Sequence, residues 1–237
     1  IKFHSEGNIS EAAKYYQYCI NQRFNDFRVF SNYGLILQNR GNLQEAELLF
    51  RKAIELNPKF ADAYSNLGIL YKGIGKLKEA ELLFRKAIEI NPNFSDAHYN
   101  LGNLLIDIGK LQKAELSLLK AIELNPDFAM AYNSLSLLKN SENNQIWHDK
   151  LFSTTILKNK LPKEQVDIYF ARANILHKKK EYKNSSKNLQ LANNLKLDLY
   201  PTNADTLINK SSTLLIESDK QESNKIKRTK LPESIFI

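Results

Sequence analysis

Residues 61–94 read ADAYSNLGILYKGIGKLKEAELLFRKAIEINPNF, and the pattern of this stretch recurs every 34 residues on both sides of it. Three columns of residues keep this register, and we call them the crossing glycines (Gly34, Gly68 and Gly102), the turn glycines (Gly41, Gly75 and Gly109) and the prolines (Pro58, Pro92 and Pro126). Within the stretch, Tyr64, Leu67 and Tyr71 follow the three- and four-residue spacing of an amphipathic helix. A 34-residue period with two such helices predicts a helix-turn-helix solenoid.

Small residues and chain-breaking residues explain the pairing of the helices. We expect Gly68 and Ala80 to lie where the two helices of the unit cross most closely, because a larger side chain would force them apart. Gly75 permits a tight turn, and Pro92 ends the second helix because the residue before a proline disfavours the α conformation. We therefore expect residues 27–140 to form consecutive antiparallel helix pairs, with helices of about 12 to 14 residues and turns near the turn glycines.

These residues resemble the tetratricopeptide repeat (TPR) family. The middle unit carries the family pattern throughout, with Tyr64, Leu67, Gly68, Tyr71, Ala80, Phe84, Ala87 and Pro92. The units on either side carry it with substitutions, such as His98 in place of the aromatic residue. The resemblance implies an all-α, TPR-type right-handed superhelical solenoid of antiparallel helix pairs, whose first helices line a concave groove.

The register also divides the chain. A truncated TPR that supplies only its second helix covers residues 1–26, and full TPRs follow at 27–60, 61–94 and 95–128. We then expect capping and divergent helices at 129–164, a degenerate TPR at 165–199, a basic linker at 200–230 and a candidate first strand at 231–237. In the degenerate unit Arg172 stands where Leu67 would be, so we expect a different partner on that face.

A second resemblance covers residues 165–237, and it is to bacterial proteins in which TPRs precede a sulfotransferase domain. The degenerate unit, the basic linker and the final LPESIFI carry it. It implies that a glycine-containing phosphate loop follows in the parent protein, which would use 3'-phosphoadenosine-5'-phosphosulfate (PAPS). The sequence stops at Ile237, so we expect no enzyme, no cofactor site and no donor affinity in this chain itself.

Composition limits the other classes of function. No apolar run reaches the ~20 residues of a membrane helix, so we expect no membrane contact and a cytoplasmic protein. The four histidines share no metal-ligand spacing, so we expect no metal. The net charge is +8, and residues 147–237 carry 17 Lys and Arg against 10 Asp and Glu. This excess suits a solvated lysine surface or an anion site, but no nucleic-acid-binding signature accompanies it, so we expect no nucleic acid partner.

One polar column is a candidate binding site. Asn32, Asn66 and Asn100 occupy the same position on successive first helices. Carboxamides in a groove can hold the backbone of an extended peptide, and the column resembles the asparagine ladder of the O-linked N-acetylglucosamine transferase superhelix. The alternative is that these amides only form hydrogen bonds between repeats. We assign three further residues to the same groove, namely Tyr99, Asn103 and Asn133.

These observations leave several functional hypotheses open. The first is a protein-protein interaction module that binds a protein or peptide ligand in its groove. The second places this module in the amino-terminal, substrate-recruiting region of a sulfotransferase, and the alternative is a stand-alone TPR scaffold or adaptor. A nucleic-acid-binding adaptor that uses the basic back half is the weakest hypothesis.

Overall fold

The computed structural model describes residues 8–138 and 145–200, and the chain divides into two compact units between Lys150 and Leu151. The first unit contains α1 (Ile9–Asn21), α2 (Phe27–Asn39), α3 (Leu43–Leu56), α4 (Ala61–Gly73), α5 (Leu77–Ile90), α6 (Ser95–Asp107), α7 (Leu111–Leu124) and α8 (Ala129–Leu137). Helix α9 (Gln145–Phe152) follows, and the second unit holds a 3-10 turn (Thr154–Leu157), α10 (Pro162–Lys178) and α11 (Tyr182–Leu199).

The described part of the chain contains no strand, which confirms the all-α prediction. The predicted basic linker at 200–230, apart from Tyr200, and the predicted strand at 231–237 lie outside the described residues.

Helices α2 to α7 form three consecutive pairs, α2 with α3, α4 with α5 and α6 with α7. The turn glycines Gly41, Gly75 and Gly109 have φ angles of +83°, +80° and +74°, which place them in the left-handed region. A side chain on the Cβ atom disfavours this conformation, and glycine avoids that cost. The prediction of helix pairs that turn at these glycines is confirmed.

The crossing glycines let each pair close over one large side chain. A Cβ atom at Gly68 would lie 2.7 Å from Cε1 of Phe84, which is fully buried. The same distance separates such an atom at Gly34 from Phe50, and at Gly102 from Cγ of Leu118. The close approach at Gly68 is therefore confirmed, and the group that requires it is the side chain of the partner helix.

One apolar core runs through the three pairs. It joins Leu37 and Phe50 of the first pair to Leu67 and Phe84 of the second, and continues to Leu101 and other residues of the third. Burial of this kind stabilises a solenoid through contacts between neighbouring units, because no unit can cover its apolar surface alone.

Helix α8 is shorter than expected, with 9 residues. It ends at Leu137, and Leu138 is already extended, with φ −75° and ψ 134°. Ser136 stands at the position of the crossing glycines, and its buried hydroxyl donates to the backbone carbonyl of Asn133 at 2.6 Å. Serine side chains that bond their own backbone compete with helical hydrogen bonds, which favours an early end.

The second unit repeats the helix pair with two changes. Its turn uses Lys180, with φ +63°, at the position that a turn glycine holds in the first unit. Arg172 donates from Nε to the carbonyl of Leu151 and from Nη2 to the carbonyl of Ser153, both at 2.9 Å. The predicted different partner for Arg172 is thus confirmed, and it is the backbone that precedes α10.

Replacing Gly68 by Ala tests the crossing contact. We expect Gly68→Ala to lower the free energy of unfolding by about 1 to 3 kcal/mol, because the new methyl group meets the Phe84 ring. Gly73→Ala is the matched control in the same helix, since its new Cβ would meet no atom within 4 Å beyond the adjacent backbone of its own helix. Its free energy of unfolding should stay unchanged or rise by up to ~1 kcal/mol. Urea unfolding of both variants provides the comparison, and equal losses would contradict the account.

Replacing Lys180 by Gly tests the strained turn of the second unit. We expect Lys180→Gly to raise the free energy of unfolding by about 0.5 to 1 kcal/mol, since it relieves a left-handed φ. Lys179→Gly is the control, because Lys179 has φ −75° and glycine there only adds backbone entropy to the unfolded chain. A thermal melt in which both variants lose stability would refute the interpretation.

Candidate functional site

The first helices of successive pairs form one continuous wall. Helix α2 touches α4, and α4 touches α6, while the main contacts that α3 and α5 make outside their own pair are with the first helix of the next pair. Helices that touch their own counterparts in the neighbouring pairs lie on the inner side of a curved solenoid, where successive pairs come closest together. The wall of α2, α4 and α6 is therefore the inner wall of the first unit, as the family resemblance implies.

A polar seam joins neighbouring first helices along this wall. Asn66 on α4 donates from Nδ2 to the hydroxyl of Ser31 on α2 at 3.2 Å. Asn100 on α6 repeats the contact with Ser65 on α4 at 3.3 Å. Both serines are buried and both asparagines are half-buried, so the seam lies at the edge of the core.

Asn32 occupies the first position of the asparagine row, and its partner belongs to the preceding helix. Burial raises the pKa of the Tyr16 hydroxyl on α1, and a hydrogen bond with Asn32 partly opposes this shift. Each of the three predicted asparagines thus bonds to the unit before it. The amides contribute to stacking, which the sequence-based alternative anticipated.

Among the residues described, the bonds between repeats leave the acceptor oxygen of Asn66 and of Asn100 without a hydrogen bond. Within the described residues, no donor lies in hydrogen-bonding range of Oδ1 of Asn66 or Asn100. A carboxamide has one acceptor oxygen and two N–H donors, and the seam uses one N–H. Each amide can therefore still accept one hydrogen bond on the half-exposed side of the wall.

The other predicted groove residues lie on α6 and α8, and all three are half-buried. The Tyr99 ring packs on Phe128 with centroids 4.9 Å apart. Asn103 Oδ1 accepts from the Ser134 hydroxyl at 2.8 Å, which extends the polar seam from α6 to α8. Asn133 accepts through its backbone carbonyl, so its observed bond fixes the end of α8.

Sequence reasoning missed both the serines of the seam and two exposed apolar residues beside it. Ser31 and Ser65 repeat at the 34-residue period, which was the available signal. Ile69 lies three residues after Asn66, on the same face of α4, and is 38% exposed. Leu137 holds the equivalent position on α8 and is 65% exposed. The inner wall thus offers amides and apolar side chains together.

Basic side chains on this wall are paired with carboxylates. Arg28 on α2 bonds to Asp26 at 2.6 Å, and Lys72 on α4 bonds to Asp107 on α6 at 2.9 Å. Exposed pairs of this kind add little stability, typically ~0 to 1 kcal/mol. Their consequence is electrostatic, because neither cation is left to attract an acidic ligand.

His98 and Tyr132, which occupy the aromatic position of their repeats, each form a hydrogen bond with a backbone carbonyl. His98 Nε2 lies 3.0 Å from the carbonyl oxygen of Pro92, and the Tyr132 hydroxyl donates to the carbonyl of Pro126 at the same distance. Burial, and then the charge of Asp127, raises the pKa of Tyr132.

Within residues 8–138 and 145–200, no group of His, Cys, Asp and Glu could hold a metal ion. No helix described here is long and apolar enough to cross a membrane.

Comparisons with known proteins identify the repeats. A model described as TPR repeat matches residues 34–75, and two models described as tetratricopeptide repeat match residues 61–94 and 83–115. No curated protein matches the chain.

Two solved structures share the fold. YrrB, described as a TPR protein with an unusual peptide-binding site, is 21% identical with a TM-score of 0.52, over 85% of this chain and 99% of its own. A structure of MamA protein is 21% identical with a TM-score of 0.50, over 84% of this chain and 90% of its own. Modules of this type are typically non-catalytic. Residues 34–115 thus consist of tetratricopeptide repeats, and the fold is that of a TPR solenoid.

Proposed function

We propose that the inner wall of α2, α4 and α6 binds an extended peptide segment of a protein partner. The observation that carries the proposal is the row of amides with uncommitted acceptor oxygens, at Asn66 and Asn100. A carboxamide oxygen accepts from the backbone N–H of any residue, so the row holds a chain without selecting its side chains. The exposed Ile69 beside the row supplies an apolar contact that favours an apolar side chain of the peptide.

The spacing of the helices suits such a ligand. Packed helices lie ~8 to 10 Å apart, and the side-chain bonds between α2, α4 and α6 require that the first helices are close neighbours. An extended chain advances ~3.3 Å per residue, so successive amides meet about every third residue of the peptide. The paired cations Arg28 and Lys72 favour an uncharged or mixed peptide over an acidic one. A peptide-binding site in YrrB, a protein of the same fold, agrees with this use of the solenoid.

A double Asn variant tests the binding role. A peptide that binds wild type is first selected from a displayed random library, and its affinity is then measured by calorimetry. We expect Asn66→Ala with Asn100→Ala to weaken binding by about 0.5 to 1.5 kcal/mol for each lost hydrogen bond. Stability should also fall, because both amides bond to serines of the preceding unit.

The matched control is Ser31→Ala with Ser65→Ala, which removes the same two seam bonds and keeps both amides in place. It should lower stability by a similar amount and leave peptide affinity largely unchanged. If the serine and asparagine variants lose affinity equally, the amides act only between repeats and the binding proposal fails.

From the resemblance of residues 165–237 alone, we also propose that the module recruits a substrate to a PAPS-dependent sulfotransferase domain of a cytoplasmic parent protein. No described residue bears on this context, and a stand-alone scaffold or adaptor is the alternative. The parent gene tests it directly, because a glycine-containing phosphate loop must follow the LPESIFI segment. A different sequence at that point would exclude the sulfotransferase context and favour the scaffold or adaptor hypothesis.

A further inference from the structure

The second unit carries a strong positive charge that its own carboxylates do not neutralise. Residues 151–200 contain 10 Lys and Arg against 4 Asp and Glu. Among the described residues, Lys179, Lys180, Lys183 and Lys187 form no ion pair, whereas Lys160 pairs with Glu164 at 3.5 Å. Many lysines of the first unit are paired, for example Lys86 with Glu89 at 2.7 Å. In the described part of the chain, lysines without a carboxylate partner are therefore concentrated at the turn and the first half of α11, although single unpaired lysines such as Lys78 and Lys113 also occur in the first unit.

Three of these lysines form a row. Lys183 and Lys187 are four residues apart on α11, which places them on one face of the helix, and Lys180 lies in the turn just before the helix. All three are exposed. Four residues of helix advance ~6 Å, so Lys183 and Lys187 present their charges at about that interval. We call Lys180, Lys183 and Lys187 the lysine row.

The first member of the row is held in an unfavourable backbone conformation. Lys180 has φ +63° at the position where the regular units have glycine. A non-glycine residue in the left-handed region carries a conformational cost, and such residues cluster at functional sites. The cost at Lys180 is consistent with a charge that is needed at this place.

The lysine row leads to an apolar surface. Leu191, one helical turn after Lys187, is 39% exposed, and Phe152 is 38% exposed under the guanidinium of Arg172. Leu191 and Phe152 line a depression of about 540 Å³ together with Leu176, the cations of Arg172 and Lys187, and the carboxylate of Glu181, which accepts a hydrogen bond from Asn184. Cations at one end and apolar side chains at the other define the ligand that this face can bind.

We propose that the lysine row and this depression form a second binding site, for an extended acidic segment of a protein that ends in an apolar side chain. Alternate residues of an extended chain lie on one face ~6.6 Å apart, close to the ~6 Å interval of Lys183 and Lys187. Asp or Glu at alternate positions therefore matches the row. The next side chain on that face reaches Leu191, and the site shares no residue with the asparagine row.

The aromatic rings near the row favour a polypeptide over single-stranded nucleic acid. His177 and Tyr182 pack edge to face with centroids 5.4 Å apart. Single-strand binders stack bases on open aromatic faces, and these two rings instead pack against each other.

A single exposed ammonium group binds a carboxylate only weakly, so several lysines of the row must act together to hold the peptide. Because these contacts are exposed, added salt must weaken the complex.

Fluorescence anisotropy with labelled Gly-Glu-Gly-Glu-Gly-Glu-Gly-Leu tests the site on the full chain. We expect binding at about 50 mM salt that weakens at about 300 mM, and no binding of the analogue with Gln at each Glu. Lys183→Gln with Lys187→Gln should weaken binding about fivefold or more. Lys78→Gln with Lys113→Gln removes the same charge from exposed lysines of the first unit and should change affinity less than about twofold.

Lys180→Gly separates binding from folding. It should weaken peptide binding while the melting temperature rises, a combination that misfolding cannot produce. The proposal is overturned if the acidic peptide does not bind at low salt, or if the two double variants behave alike. It is also overturned if an oligouridine of about ten nucleotides binds more tightly and loses affinity in Lys183→Gln with Lys187→Gln, since the site would then bind nucleic acid.

Discussion

The contact between a crossing glycine and the large side chain of its partner helix is the constraint on which the solenoid depends. Phe50, Phe84 and Leu118 are fully buried, and each would lie 2.7 Å from a Cβ on the facing glycine. The absence of that atom lets the two helices of a pair close. When the two helices close, their apolar side chains form one face, which the next pair covers. The same contact therefore determines both the geometry of the pair and how it stacks on its neighbour.

The stacking explains why a polar seam can exist at the inner wall. Because each pair repeats the geometry of the one before it, residues 34 positions apart fall into rows, and residues 35 positions apart can meet across a boundary. Asn66 meets Ser31 and Asn100 meets Ser65 in this way. The bonds orient the amides, and an oriented amide loses less conformational entropy when it binds a ligand. A structural role and a binding role for the asparagines are therefore compatible.

Much of the fold follows from the sequence because its determinants are local. The turn glycines and the helical periodicity act within one unit, and they predicted the pairs from α2 to α7. Other features depend on contacts between distant residues. The early end of α8 arises from a serine that bonds its own backbone, and the left-handed Lys180 is tolerated only because the helices on either side of it form a pair. The asparagine row was visible as a column, but its serine partners required the packing of neighbouring first helices.

In the proposed complex, the inner wall holds the backbone of a peptide through the asparagine row. A crystal structure of the chain with a selected peptide is the most direct test. The account predicts an extended peptide across α2, α4 and α6, with backbone N–H groups about 2.9 Å from Oδ1 of Asn66 and Asn100. A peptide bound instead to the outer faces of the second helices, where Leu48 and Leu82 are exposed, would contradict it.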